Sequence, residues 1–189
     1  MKFLLLLLAF VSLVMAQNTP EPFGLKLGVS TKEETLQVIK KEGGRVVDSG
    51  YRIIKGDIVS PNIEGVGVKG LPVDGLQSAT FWFFEGKLFK IDYIFPFNMY
   101  SGDFEVLYKH LKLKYGDPTQ VSRGIDENIE WDFGELRITL TDRFFETILI
   151  YEHVPLSKRA DQSDQEVFKK RDLKTQKRLI VYYWAGYVS

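Results

Sequence analysis

Two histidines, His110 and His153, and no cysteine limit the chemistry open to this chain. A zinc site needs three or four nitrogen, sulfur or oxygen ligands held together. Both imidazoles would have to join carboxylates to make one. His110 stands between Lys109 and Leu111, His153 follows a strand-like run, and no His-Glu-x-x-His occurs. Each is therefore expected to be an ordinary surface or half-buried histidine. Asp126-x-Asn128-x-Glu130-x-Asp132 places oxygens at the alternate positions that open a calcium loop. The sixth position of such a loop is glycine for its sharp turn, and Trp131 stands there instead. On a strand the same spacing puts four polar groups on the wet face and Ile129, Trp131 and Phe133 inside. Nucleophilic catalysis has no local support, since neither Gly-x-Ser-x-Gly nor Ser-x-x-Lys is present. No catalytic residue, metal or cofactor is assigned. The enzyme alternative is a small periplasmic hydrolase that gathers His110 or His153 with two carboxylates.

Gly24 and Gly28 in "PFGLKLGVSTKEE" (22–34) invite a phosphate-loop reading. Neither Gly-x-x-x-x-Gly-Lys-Ser/Thr nor Gly-x-Gly-x-x-Gly is completed, so the glycines are read as turn geometry. Ser30-x-x-Glu33 and Thr31-x-x-Glu34 are overlapping capping boxes, in which a hydroxyl accepts from first-turn amides and a carboxylate reaches back. Leu36, Val38 and Ile39 supply an apolar stripe, and Gly43-Gly44 ends the helix with a left-handed cap. A second helix is capped by Ser101 or Asp103. It carries Phe104, Leu107, Tyr108, Leu111 and Tyr115 on one face and stops at Gly116-Asp117-Pro118.

Elsewhere the hydrophobic period is two. Ala79–Phe84 and Leu88–Phe95 flank Glu85-Gly86, a hairpin signal. Ile129, Trp131 and Phe133, then Leu136, Ile138 and Leu140, alternate with polar residues, and Thr147–Tyr151 closes the series. Such alternation predicts antiparallel strands with one buried face. Tyr51–Leu76, rich in Gly and Pro, is expected to form irregular strands and loops. The fold expected is α+β, two helices packed on one face of a mainly antiparallel sheet. A faint echo raises the reading of two helix-plus-strands repeats: Ser30…Gly43 with Val47-Asp48-Ser49-Gly50, against Ser101…Gly116 with Val121-Ser122-Arg123-Gly124.

Met1–Ala16 reads as a secretory signal: Lys2, an apolar run, and small residues Val14 and Ala16 before the cut. The run is shorter than the roughly 20 residues of a membrane span. Gln17–Ser189 is then one α+β domain over 17–156, followed by a charged and aromatic segment over 157–189. In that segment the charged run Ser157–Arg178, with Ser163-x-x-Glu166 as a helix cap, is expected to be an exposed helix or partly disordered. Gln17–Ser189 as a whole carries 24 basic against 25 acidic residues, so nothing draws it to nucleic acid. An exported chain without cysteine relies on packing rather than disulfides, which fits export across the inner membrane to a bacterial periplasm, with an extracellular location the alternative.

"FGLKLGVSTKEETLQVIKKEGG", "ATFWFFEGKLFKIDYIF" and "LYKHLKLKYGDP" resemble small periplasmic α+β proteins with a Leu-Gly-x-Ser/Thr-x-x-Glu helix opening. That group includes the beta-lactamase inhibitory protein and the SmpA/OmlA outer-membrane-assembly lipoproteins. The sequence is also similar to exported bacterial proteins with a Phe-Gly-x-x-Leu-Gly opening. The resemblance covers about residues 22–152 and implies a binding or inhibitory module without catalytic residues.

Surface recognition is the remaining function class. Phe81-Trp82-Phe83-Phe84 is aromatic at every position, so both faces of that strand carry rings. With helices on one side, the other side becomes an aromatic interaction surface, or else the Gly/Pro-rich segment or the tail covers it. The partner-binding residues expected are Trp82, Phe84, Phe97, Tyr100 and Trp184, and the partner is another envelope or secreted protein. The tail has two readings. Leu179–Val188 docks as an extra edge strand, the favoured one, or basic Lys169–Arg178 with the aromatic end makes peripheral membrane contact through residues 179–189.

Overall fold

A computed structural model describes residues 19–96, 103–124, 126–143 and 145–185, with side chains described as far as Lys174. The segment 1–16, expected to be a secretory signal, lies outside the described residues. A single 3-10 turn, Pro22–Gly24, leads to α1 (Lys32–Lys41) and four strands: β1 (Arg45–Lys55), β2 (Ile58–Lys69), β3 (Ser78–Phe84) and β4 (Lys87–Pro96). Then come α2 (Asp103–Tyr115), β5 (Gln120–Ser122), β6 (Glu127–Asp132), β7 (Leu136–Arg143), β8 (Glu146–His153) and α3 (Val154–Ala185). The eight strands make one antiparallel sheet in the order β1-β2-β3-β4-β8-β7-β6-β5. Each of α1 and α2 thus precedes a four-stranded meander, and the two meanders meet where β4 pairs with β8. The fold is α+β, and its third helix takes in the charged segment 157–178, expected to be an exposed helix or partly disordered; Ser157, Ala160 and Asp164 in its first turns are buried.

Local chemistry explains the helix starts. Thr31 caps α1: its Oγ1 accepts from Glu34 N–H at 3.2 Å, and Thr31 N–H donates to Glu34 Oε2 at 2.8 Å. Ser30 does something else, accepting from Lys26 N–H at 3.1 Å and tightening the preceding turn. Only one of the two overlapping capping boxes forms. Gly28 is held there by a 2.7 Å bond from its N–H to Leu88 O. With φ +85° and the His153 ring 2.5 Å from where a Cβ would sit, the position admits glycine and no larger residue.

Both stripes read from the sequence turn inward to the same core. Ile39, Leu36 and Val38 of α1 and Phe104, Leu107, Tyr108, Leu111 and Tyr115 of α2 join one cluster with alternate sheet residues. Those include Phe81, Phe83, Ile91, Tyr93, Trp131, Ile138 and Tyr151. We call this helix-covered side the front face. The Glu85-Gly86 turn has positive φ at both residues, 51° and 76°, as a two-residue hairpin of the favoured twist requires.

Two expectations are corrected. Tyr51–Leu76 is not mainly irregular: β1 and β2 run for 11 and 12 residues as a long hairpin. Glycines hid the alternation because two of them, Gly65 and Gly67, are used as strand residues. A Cβ at Gly65 would meet the Trp82 ring at 2.8 Å, so the missing side chain is the space that ring occupies. Nor does the tail add an edge strand, because the backbone from Val154 to Ala185 is one helix. Pro155 sits in its first turn, where no intrahelical N–H bond is lost. Helix satisfies each amide locally, whereas an edge strand would leave half its polar backbone unpaired.

Tyr93 and Tyr151 meet edge to face at the sheet centre, ring centroids 5.9 Å apart. Burial, reinforced by the neighbouring Tyr115, raises both phenols well above the ordinary value of 10.0. A raised folded pKa means that the folded state holds these protons when the unfolded chain has begun to release them. The stability they contribute is therefore complete below about pH 10 and is lost as pH climbs toward the folded values. In an ultraviolet tyrosinate titration, two tyrosines should ionise late and together with unfolding, and Tyr93→Phe should remove one of them. Ionisation of every tyrosine near pH 10 with the fold intact would contradict this burial.

Candidate functional site

The side of the sheet away from α1 and α2, its back face, is where the sequence placed the recognition surface. It divides into a covered half and an open half. At the β2–β4 end, Ile63, Phe84, Phe89 and Ala160 form a second small core, with Trp82 and Leu156 packed against it. Ala160 and Leu156 belong to α3, so the first turns of that helix close this half. Phe84 is only 3% exposed, and the Arg159 guanidinium lies over its ring at 5.4 Å. The expected partner-binding role for Phe84 is thereby corrected: the tail covers it, as one of the alternatives anticipated, and burying a large ring against a helix outweighs leaving it in water.

Polar pairs set the direction of α3 along the β1–β2 hairpin. Arg52 reaches Asp161 at 2.9 Å and Asp164 at 2.6 Å, and Asn62 Nδ2 donates to Ser163 Oγ at 3.0 Å. Further along, Arg171 pairs with Asp57 at 2.7 Å and Lys55 Nζ sits 5.4 Å from the Phe168 ring centre. Asp164 stands apart from the other members of this series, because its carboxylate is buried and one of its oxygens has no hydrogen-bond partner among the described residues. Arg52 is the group that makes that burial tolerable.

The open half lies around the β4–β8 pairing. Alternation sends Asp92 and Ile94 of β4 and Ile148 and Ile150 of β8 to the back, in register as Asp92↔Ile150 and Ile94↔Ile148. All four are half-buried. Trp82 stands beside them on β3, its indole Nε1–H donating to Asp92 Oδ2 at 2.8 Å, with Lys90 Nζ 3.2 Å from the other carboxylate oxygen. On the flank, Arg137 faces Glu130 at 3.9 Å and the Thr141 hydroxyl donates to Asn128 Oδ1 at 2.7 Å. Asn128 and Glu130 thus lie on this polar strand face, as alternation required, and not in an ion-binding loop.

Of the five expected contact residues, the structure leaves Trp82 half-buried at the boundary between the covered and open halves and buries Phe84. Phe97, Tyr100 and the side chain of Trp184 lie outside the described residues. Sequence reading missed Ile94, Ile148 and Ile150. The β4–β8 pairing gathers them from positions more than 50 residues apart, and no local pattern signals such a meeting. The two histidines are separate: His110 is exposed on α2, whereas His153 ends β8 under Gly28, its Nδ1 accepting from Leu156 N–H at 3.2 Å. Among the described residues no group of three metal-ligating side chains gathers.

The chain matches the family model described as TP0088 domain over residues 22–163, and it belongs to that family. The matched region runs from the 3-10 turn to the part of α3 that seals Phe84. No curated protein and no solved structure matches it.

Arg52→Ala should destabilise the fold by about 3 kcal/mol, since it leaves the Asp164 carboxylate buried without a cation. Asp161→Ala, which removes only the more exposed partner, should cost less than about 1 kcal/mol. Chemical denaturation of the two variants checks this, and equal losses would show that Arg52 acts as a surface charge alone.

Proposed function

We propose that this TP0088-domain protein is an exported, non-catalytic protein of the bacterial envelope. It binds or inhibits another envelope or secreted protein through the back face of its sheet. The observation that carries the reading is the ridge of Ile94, Ile148 and Ile150 beside Trp82, rimmed by Lys90, Asp92, Arg137 and Glu130. An apolar centre with a charged border, on a rigid sheet, is the usual anatomy of a protein-recognition patch. The near-neutral charge gives no field to attract nucleic acid. The resemblance to the small periplasmic inhibitory and assembly proteins agrees with a binding role. We read the α1–β4 and α2–β8 halves as two copies of one helix-plus-strands unit. The echo between Val47-Asp48-Ser49-Gly50 and Val121-Ser122-Arg123-Gly124 supports this, and so does the mirrored strand order.

Immobilised protein should capture a discrete partner from an envelope extract. Ile148→Glu and Ile150→Glu should each reduce that capture about tenfold with the melting temperature retained. Leu113→Glu, at a position 84% exposed on α2, is the control that should leave it unchanged. Identical capture by all three would overturn the reading.

A second reading is favoured by one observation, the helical rather than extended backbone through Ala185. A helix with Lys169–Arg178 followed by Leu179–Trp184 has the composition of a segment that lies on an anionic membrane surface. Flotation with vesicles containing anionic lipid should then recover the full chain and not a chain lacking residues 179–189. Equal recovery of both would remove this reading.

A further inference from the structure

The front face carries a second feature, independent of the back-face reading. A cleft of about 150 Å³ opens over the β4–β8 pairing. Its floor is Tyr93 and Tyr151 with Leu149, its wall is Leu107 of α2, and its rim is Val73 and Phe23. Among the described residues no charged side chain lines it. Within this apolar lining Tyr93 is the anomaly. It is 4% exposed, yet its hydroxyl has no hydrogen-bond partner among the described residues. A buried donor left unpaired is unfavourable, and a folded protein normally satisfies it.

The rim adds a second anomaly. Phe23 holds left-handed backbone, φ 56° and ψ 25°, which a residue with a side chain rarely adopts. The turn that imposes it is closed by Gly24 N–H to Glu21 O at 3.1 Å and Leu25 N–H to Pro22 O at 3.0 Å. Backbone strain of this kind concentrates where a side chain must be held in a given place. In this fold it holds the Phe23 ring at the mouth of the cleft.

We propose that the cleft binds a small uncharged molecule with a ring-sized apolar body and one acceptor oxygen, which accepts the Tyr93 hydroxyl proton in a hydrogen bond. The volume sets the body, since an apolar cavity of about 150 Å³ accommodates benzene. The uncharged lining excludes a carboxylate or ammonium, whose desolvation nothing there would offset. Burial keeps the Tyr93 hydroxyl protonated across the physiological range, so it has a proton to donate, and an acceptor oxygen on the ligand would pair it.

Acetophenone and ethylbenzene are a matched pair of probes, one with a carbonyl and one without. In amide NMR titrations of the purified protein, acetophenone should shift Phe23, Val73 and Leu107 and bind more tightly than ethylbenzene. Tyr93→Phe keeps the ring and removes only the unpaired hydroxyl, so the variant should fold with unchanged or higher melting temperature. It should weaken acetophenone about fivefold and leave ethylbenzene unaffected. Leu107→Trp, which fills the cleft, should abolish both. The proposal is overturned if neither probe shifts those amides. It is equally overturned if the two bind alike and Tyr93→Phe changes neither, since the cleft would then be an apolar void without recognition. Failure here leaves the back-face reading standing, because that reading involves the opposite side of the sheet.

Discussion

The pairing of β4 with β8 is the constraint on which the rest of the structure depends. Seven residue pairs, from Lys90↔Glu152 to Pro96↔Glu146, join two four-stranded meanders into one sheet. The same ladder decides which side chains face which way. Tyr93, Leu149 and Tyr151 go to the front, where α1 and α2 bury them, while Asp92, Ile94, Ile148 and Ile150 go to the back. A slip of one residue would exchange the two sets and expose the aromatic core. Both candidate binding surfaces therefore straddle one seam, on opposite sides of it.

On the back face the attachment of α3 combines two unequal contributions. Seating Phe84, Phe89 and Ile63 against Ala160 removes large apolar groups from water, and each such side chain contributes about 1.5–3 kcal/mol. Surface pairs such as Arg159–Glu85 and Arg171–Asp57 are worth about 0–1 kcal/mol each. The apolar seat accounts for the helix being held, and the ion pairs account for its direction along the β1–β2 hairpin. Arg52 belongs partly to both, because it neutralises the buried Asp164. The consequence for recognition is direct. The helix takes Phe84 out of contact with solvent and leaves Trp82 at the boundary, so the open patch is aliphatic with one indole rather than broadly aromatic.

Both helices on the front, their inward faces, the Glu85-Gly86 hairpin and the alternating strands β6 to β8 were readable from residue order. Each depends on neighbours within about one to four positions: a capping box, a 3.6-residue stripe or a two-residue period. Where two local signals competed, only the tertiary structure could choose. Ser30 and Thr31 both looked like caps, and Thr31 alone became one. The long hairpin of β1 and β2 was illegible for a different reason. Its glycines are places where another segment comes close, as the Trp82 ring does at Gly65, and a missing side chain says nothing about what fills the space.

Residue order by itself determined the class of the fold and the chemistries left without a motif, because caps, periods and ligand spacings are short-range properties of the chain. Tertiary structure alone decided that α3 shields Phe84, that Ile94 meets Ile148, and that the Tyr93 hydroxyl is buried without a partner among the described residues. Each of these is a contact between segments distant in sequence, set by how the two meanders join and by which face the last helix covers. Whether an aromatic or isoleucine on a strand becomes core or surface is settled by what packs over it, and that information is not carried by the strand.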